Sequence, residues 1–193
     1  MKELNRRAFL TLTGAAVVAL SLAGCDDGPS APPAPPAAPT SKEAELVAAI
    51  NKVWKKKFDA GLVDHEQLTL NQDAQKGIKI QGGLCENAQE TEHKVTDEEW
   101  EVLADVAVWE ASMEQKYCLA GVAGITAWPD GAEGVVFSLD FEYSCEDADV
   151  QKFVEKLLTV NSNDRNAEFI SIYCPVVQGK TYMIATVFWN KKA

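Results

Sequence analysis

The sequence predicts an α+β domain in which an antiparallel sheet of two hairpins is covered by about four helices, an arrangement compatible with an α-β-α sandwich. Four segments combine a helix start signal with apolar residues at helical spacing. Two later stretches alternate apolar and polar residues, as half-buried strands do. Hydrophobic residues make up 47% of the 193 residues, which is enough to bury a core.

The first predicted helix begins after Thr40, which is spaced as an N-cap with Glu43 as its N3 partner. Its large apolar residues share one stripe, which predicts docking by a single face. They are Leu46, Ile50, Val53, Trp54 and Phe58. The second predicted helix, near 65–80, follows a similar pair at Asp64 and Gln67 but contains few large apolar residues.

The third helix is predicted at about 97–117, after the pair Thr96 and Glu99. Its apolar residues occupy two sides, which predicts a helix sandwiched between two layers. One side carries Trp100, Leu103, Ala104, Ala107, Val108 and Ala111, and the other carries Val102, Val106, Trp109 and Met113. The fourth helix, at about 146–160, follows Ser144 and Asp147 and has one apolar stripe.

Two hairpins are predicted from the strand patterns. The first pairs 122–128 with 135–143 through a turn at Pro129–Gly131. The second pairs about 168–174 with 181–189 and turns near Gln178–Gly179. Residues 182–189 are apolar on both faces except at Thr186, which predicts a central strand.

Residues 1–24 have a basic start and an apolar stretch, and they end in Leu-Ala-Gly before Cys25. This pattern resembles a bacterial lipoprotein signal. The resemblance implies that residues 1–24 are removed and that lipid on Cys25 anchors the protein at the extracytoplasmic face of a bacterial cell membrane. The alternative is an uncleaved membrane anchor, but the apolar stretch of about 14 residues is shorter than the roughly 20 that a spanning helix needs.

Arg6 and Arg7, in Asn-Arg-Arg-Ala-Phe-Leu, resemble the twin-arginine export motif, although paired arginines also serve as ordinary positive charge. The resemblance implies export of a folded protein. Residues 25–40 follow as a linker, since 28–40 contain six prolines, and 41–193 form the single globular domain. The formal net charge is −11, and residues 1–24 carry +2, so the remainder carries −13. Such a charge argues against nucleic acid as a partner.

Four cysteines remain in the domain beside the lipid site. They are Cys85, Cys118, Cys145 and Cys174. An even number in an exported domain predicts two disulfides, and all three connectivities stay open. Zinc is the alternative, but no two of these cysteines stand two to four residues apart as zinc ligands commonly do.

Several patches of the domain resemble the CAP superfamily, also called the SCP domain. Residues 45–51 are similar to its opening helix, 68–71 to its second, Glu86-Asn87 to its Glu-Asn pair, and 161–189 to its closing segment. The resemblance implies an α-β-α sandwich with a cavity that pairs histidines with acids, often around a divalent metal. Glu86, Asn87 and His93 are the candidate cavity residues. Asp164 departs from the family, which has histidine at that position.

Catalytic signatures are otherwise missing from the sequence: it contains no nucleophile elbow, phosphate loop, dinucleotide fingerprint or paired metalloprotease histidines. His65 and His93 are both predicted to be solvated surface residues. Acidic residues cluster in 86–114 and 140–149, and calcium is the ligand that such clusters could hold, but the second cluster lacks the glycine and closing glutamate of an EF-hand loop.

We therefore expect a non-catalytic, lipid-anchored module that binds a ligand or protein outside the cytoplasm, without a cofactor or metal. The alternatives are an extracytoplasmic hydrolase that uses Glu86 and His93, with or without a metal, and a structural domain with no cleft.

Overall fold

The computed structural model of the chain describes residues 41–130, 134–159 and 164–191. The signal segment with Arg6 and Arg7, Cys25, the linker, Thr40 and the side chain of Asp164 therefore lie outside the described residues. The described residues form a mixed α+β unit with mainly antiparallel sheets, so the predicted fold class is confirmed.

Four α-helices lie among the described residues: α1 (Lys42–Asp59), α2 (Gln75–Ala88), α3 (Asp97–Glu114) and α4 (Asp147–Leu157). The strands are β1 (Thr69–Leu70), β2 (Glu92–Lys94), β3 (Tyr117–Ala123), β4 (Ile125–Asp130), β5 (Gly134–Leu139), β6 (Phe169–Tyr173), β7 (Val176–Val177), β8 (Lys180–Thr181) and β9 (Ile184–Asn190). Short 3₁₀ turns span Gln72–Ala74 and Asp164–Asn166.

The central sheet has the strand order β1-β6-β9-β3, in which β1 runs parallel to β6 and the other neighbours are antiparallel. The second predicted hairpin is confirmed, because β6 pairs with β9 and places Phe169 opposite Phe188. Strand β9 lies between β6 and β3, so its predicted central position is also confirmed. The chain turns at Gln178 and Gly179, which both have positive φ angles, between β7 and β8.

The first predicted hairpin is confirmed only for β4 and β5, which belong to a separate sheet of order β2-β5-β4. The expected strand 122–128 is divided between two sheets. Val122 belongs to β3 of the central sheet, whereas residues 125–128 belong to β4. The chain passes from one sheet to the other at Gly124, whose φ angle is 89°. A Cβ at this position would lie 1.9 Å from the Met183 carbonyl oxygen. Only glycine permits this close turn between the two sheets.

Helices cover both faces of the central sheet. On one face, α1 and α4 enclose what we call the α1–α4 core, which includes Leu46, Trp54, Phe153, Ile170 and Val187. On the other face, α2 packs over the α2 core, which includes Ile78, Leu84, Phe137, Tyr182 and Ile184. Side chains of β9 alternate between the two faces, as a strand requires. This three-layer arrangement is an α-β-α sandwich with a small second sheet beside it.

The second predicted helix is wrong over residues 65–71, and Gln72–Ala74 form only a 3₁₀ turn. Asn51 of α1 binds the backbone of Leu68, accepting its N–H at 2.8 Å and donating to its carbonyl at 3.0 Å. This contact places Thr69 in register with Phe169, and the extended segment becomes β1 instead of a helix. Helix α2 starts only at Gln75.

Three further expectations for the helices are corrected. The N-cap of α1 is Ser41, whose hydroxyl accepts the Ala44 amide, and α4 is capped at Glu146. The Ser144 hydroxyl instead accepts the Glu146 amide at 3.1 Å. The capping box of α3 is confirmed, but its sandwiched position is wrong, since Val106 is its only buried residue and Val108 is 73% exposed. The helix packs against α2 and β3, but most of its apolar residues stay at least partly exposed.

Candidate binding site

A cavity of about 200 Å³ lies between α2, α3 and the central sheet. Its walls are mainly apolar, and its polar groups are few. Pockets for drug-sized ligands usually measure about 300–1,000 Å³, so this cavity fits a smaller molecule. It is the candidate functional site of the domain.

The floor of the cavity consists of residues from β3 and β9. Leu119 and Val122 both line it although they are three residues apart, because the pairing of β3 with β9 shifts between Leu119 and Gly121. Such a bulge restores two side chains to the same face. Thr186 of β9 donates its hydroxyl to the Gly121 carbonyl at 3.2 Å, so the main buried polar group of the floor stabilises the bulge.

The walls depend on a close approach between α2 and α3. Trp109 of α3 lies across Gly77 of α2, and a Cβ at position 77 would be 3.0 Å from the Trp109 ring. Ile78 on α2 and Met113, one turn after Trp109, complete the apolar wall. Glycine at position 77 therefore lets the indole ring border the cavity.

The charge at the cavity comes from Glu110 and Glu114 of α3, which both line it. Desolvation by the surrounding walls raises the pKa of the Glu110 carboxyl, and the negative charge of Glu114 raises it further. Among the described residues, no lysine or arginine forms an ion pair with Glu110. Nearby, Tyr117 donates its hydroxyl to Asp73 at 2.7 Å. The cavity thus combines acidic side chains from α3 with mainly apolar walls.

Glu86 and Asn87 lie outside this cavity lining, at the end of α2. One carboxylate oxygen of Glu86 accepts the Val176 amide at 2.9 Å, and the other accepts the Tyr173 hydroxyl. Burial and this carboxylate raise the pKa of Tyr173 above its ordinary value. Glu86 therefore fastens α2 to the end of β6, and Asn87 is exposed.

His93 is buried, with 8% exposure, so the prediction of a surface residue is wrong for it. It lies in β2, where pairing with β5 turns every second side chain inward. Its Nε2 is 2.9 Å from Glu99, and Glu90 is 3.6 Å from its Nδ1. The side chains of His93 and Glu86 therefore share no hydrogen-bond partner. His65 is exposed, as predicted, and its carbonyl accepts the Trp54 indole N–H at 3.0 Å.

The four cysteines of the domain are free thiols in this structure. Cys85 is fully buried, and this burial raises the pKa of its thiol to about 11. Cys118 and Cys174 are half-buried, and Cys145 is exposed. The two disulfides expected from the sequence stay a prediction.

Within residues 41–130, 134–159 and 164–191, no three His, Cys, Asp or Glu side chains come together as a metal site would require. Over the same ranges, none of the helices combines the length and apolar composition needed to span a bilayer.

Sequence reasoning missed the cavity, although it placed Val102, Val106, Trp109 and Met113 on one stripe of the third helix. The stripe and Gly77 were the available signals, but neither showed that α2 and α3 meet. Comparison with protein-family models, with curated proteins and with solved structures finds no match for this chain.

Proposed function

We propose that the protein is a lipid-anchored, extracytoplasmic module that binds a small ligand with an apolar body and a positively charged end. The observation that supports this most directly is the cavity, in which the carboxylate of Glu110 lies among mainly apolar walls. A carboxylate without a cationic partner in the described part of the chain favours a ligand that supplies one.

The apolar part of the ligand is expected to rest on the floor formed by Leu119, Val122 and Phe188. Removing apolar surface from water contributes about 25 cal/mol per Å². An ammonium group beside Glu110 would add about 1 kcal/mol, since the opening is solvated and screening is strong. Hydrophobic contact therefore supplies most of the affinity, and the carboxylate supplies the charge preference.

Membrane attachment is part of the proposal and rests on the sequence of residues 1–25. Lipid on Cys25 would hold the domain at the outer face of the cell membrane, and the proline-rich linker 25–40 would space it from the bilayer. Export through Arg6 and Arg7 belongs to the same proposal. The resemblance to the CAP superfamily stays a prediction, and the layered α-β-α order of the domain is compatible with it.

Binding of three six-carbon probes to the purified protein tests the proposed ligand class. Isothermal titration calorimetry at pH 7 would compare hexylamine, hexanol and hexanoate. We expect hexylamine to bind about fivefold more tightly than hexanol, as about 1 kcal/mol implies, and hexanoate to bind least. Equal affinities for the three probes, or binding of none, would overturn the assignment.

A matched pair of variants links the charge preference to the cavity. Glu110→Gln removes one of the two carboxylates that line the cavity and should reduce the preference for hexylamine over hexanol. Asp105→Asn removes a charge from the same helix at an exposed position that does not line the cavity, and it should leave the preference unchanged.

A further inference from the structure

The central sheet separates the four cysteines of the domain. Cys85 belongs to the α2 core. Cys174 packs against the α1–α4 core, on the other face of the sheet. Cys118 precedes Leu119, which lines the cavity on the α2 face, so the alternation of β3 directs Cys118 to the α1–α4 face. Its partner across the sheet, Trp189, also packs on that face. Cys85 therefore shares its face of the central sheet with neither Cys118 nor Cys174.

Cys118 and Cys174 share a face but lie far apart along β9. Cys118 is opposite Trp189. The register of β6 and β9 pairs Tyr173 with Ile184, and the Tyr182 amide donates to the Pro175 carbonyl at 2.8 Å, so Cys174 lies opposite Met183. Six residues of strand span about 20 Å. Cysteines with Cα atoms more than about 7 Å apart cannot be bridged without backbone movement.

Cys145 lies near the end of the central sheet at which Cys174 is found. The segment before it runs along the other side of residues 181–183: the Met183 amide donates to Phe141 at 3.0 Å, and the Tyr143 amide donates to Thr181 at 2.8 Å. The Cys145 sulfur lies 3.3 Å from the Tyr143 hydroxyl.

Tyr143 and Cys174 pack on the same core. Lys42, at the start of α1, lies 5.4 Å from the centre of the Tyr143 ring. Burial, followed by the negative charge of Glu43, raises the pKa of Cys174 to about 12, and the Cys145 thiol adds to this effect. Cys145 and Cys174 therefore both lie at this end of the central sheet, on the side of the α1–α4 core.

We propose that Cys145 and Cys174 form a single disulfide in the exported protein, while Cys85 and Cys118 stay thiols. This proposal replaces the two bridges expected from the sequence by one, because the second bridge of that connectivity would join Cys85 to Cys118 across the central sheet. The bridge would join the segment after β5 to the end of β6, near the start of α1.

The bond forms by thiol–disulfide exchange with a disulfide oxidant, either a small molecule or an oxidoreductase. The exposed Cys145 thiolate attacks one sulfur of the oxidant and releases the other as a thiol. The Cys174 thiolate then attacks the Cys145 sulfur and releases the second oxidant thiol. Two protein thiols lose two protons and two electrons, and the oxidant disulfide becomes two thiols.

Differential alkylation of the full-length protein tests the pairing. After incubation with glutathione disulfide, free thiols would be blocked with iodoacetamide, and the protein would be digested without reduction. Trypsin with a glutamate-specific protease separates Cys118 from Cys145, because Glu133 lies between them. Mass spectrometry should find a linked peptide pair containing Cys145 and Cys174, and alkylated Cys85 and Cys118.

Variants make the outcome decisive. Cys145→Ser and Cys174→Ser should each abolish the linked pair, whereas Cys118→Ser should leave it unchanged. Reduction should lower the midpoint of thermal unfolding for the wild type and for Cys118→Ser, but not for the other two variants. A link from Cys118 or Cys85 to any other cysteine, or four alkylated thiols after oxidation, would overturn the proposal.

Discussion

Gly77 of α2 lies directly beneath the ring of Trp109 on α3, and a Cβ at position 77 would stand 3.0 Å from the ring. Contacts this short force the neighbouring atoms to move. The wall of the cavity thus depends on glycine at position 77, where a methyl group would displace the Trp109 ring. A second glycine of the same helix, Gly83, has no atom within 4 Å of its hypothetical Cβ.

The two glycines predict opposite results for the same substitution. Gly83→Ala should raise the free energy of unfolding by about 0.5–1 kcal/mol, because alanine costs less backbone entropy within a helix. In Gly77→Ala the displaced Trp109 ring should offset that gain and narrow the cavity, weakening the binding of hexylamine. Urea denaturation and calorimetry would measure both effects, and equal stabilisation by the two substitutions would contradict the role of Gly77.

The raised pKa of Glu110 predicts a dependence of stability on pH. The folded state disfavours the ionised carboxylate, so this group destabilises the fold at pH values above its folded pKa. The penalty is relieved as the pH falls through that pKa towards the value of about 4.3 for the unfolded chain. Because the side chain is partly solvated, Glu110→Gln should stabilise the protein at pH 7 by only about 0.5 kcal/mol.

The gain in unfolding free energy from Glu110→Gln should therefore shrink as the pH falls, and it should vanish near pH 4. Hexylamine binding to the wild type should weaken over the same interval, because a protonated Glu110 no longer attracts an ammonium group. Unfolding midpoints and titrations between pH 4 and 8 would follow both changes. A difference between variant and wild type that does not change with pH would contradict this account.

Glu86 is predicted to stabilise the fold without taking part in ligand binding. Glu86→Ala leaves the Val176 amide and the Tyr173 hydroxyl without their acceptor, and it should cost about 1.5–3 kcal/mol of unfolding free energy. Asn87→Ala, at the exposed neighbouring position, should change stability by less than about 0.5 kcal/mol. Hexylamine affinity should be unaffected in both. A stable Glu86→Ala protein with altered binding would instead favour the role that the CAP resemblance implies.

Membrane attachment is predicted to depend on the thiol of Cys25. Cys25→Ser should remove the acylation site and keep residues 1–24 uncleaved, since both steps need that cysteine in a lipoprotein signal. Incorporation of labelled palmitate and the electrophoretic mass of the product would measure these effects. Cys118→Ser serves as the control. Labelling of Cys25→Ser at the wild-type level would contradict the lipid anchor.

Patterns carried by neighbouring residues predicted much of the secondary structure. The Thr96–Glu99 capping box and the turn at Gln178–Gly179 depend on contacts within a few residues, and each was found where the sequence indicates it. Local spacing determines such elements because their hydrogen bonds form within one segment. The apolar stripe of α1 and the apolar strand β9 were equally readable, because the order of apolar residues along one segment shows which of its faces are buried.

Contacts between distant segments decided the rest. Asn51 binds Leu68 and turns an expected helix into a strand beside Phe169, a hundred residues after Thr69. Contacts between distant segments also produce the bulge near Gly121 and place Trp109 over Gly77. They likewise decide which side of the sheet each cysteine occupies. Residue patterns determined which segments become helices or strands and which faces are apolar. The folded chain alone decided which apolar faces meet, because burial is shared between partners that no single segment contains.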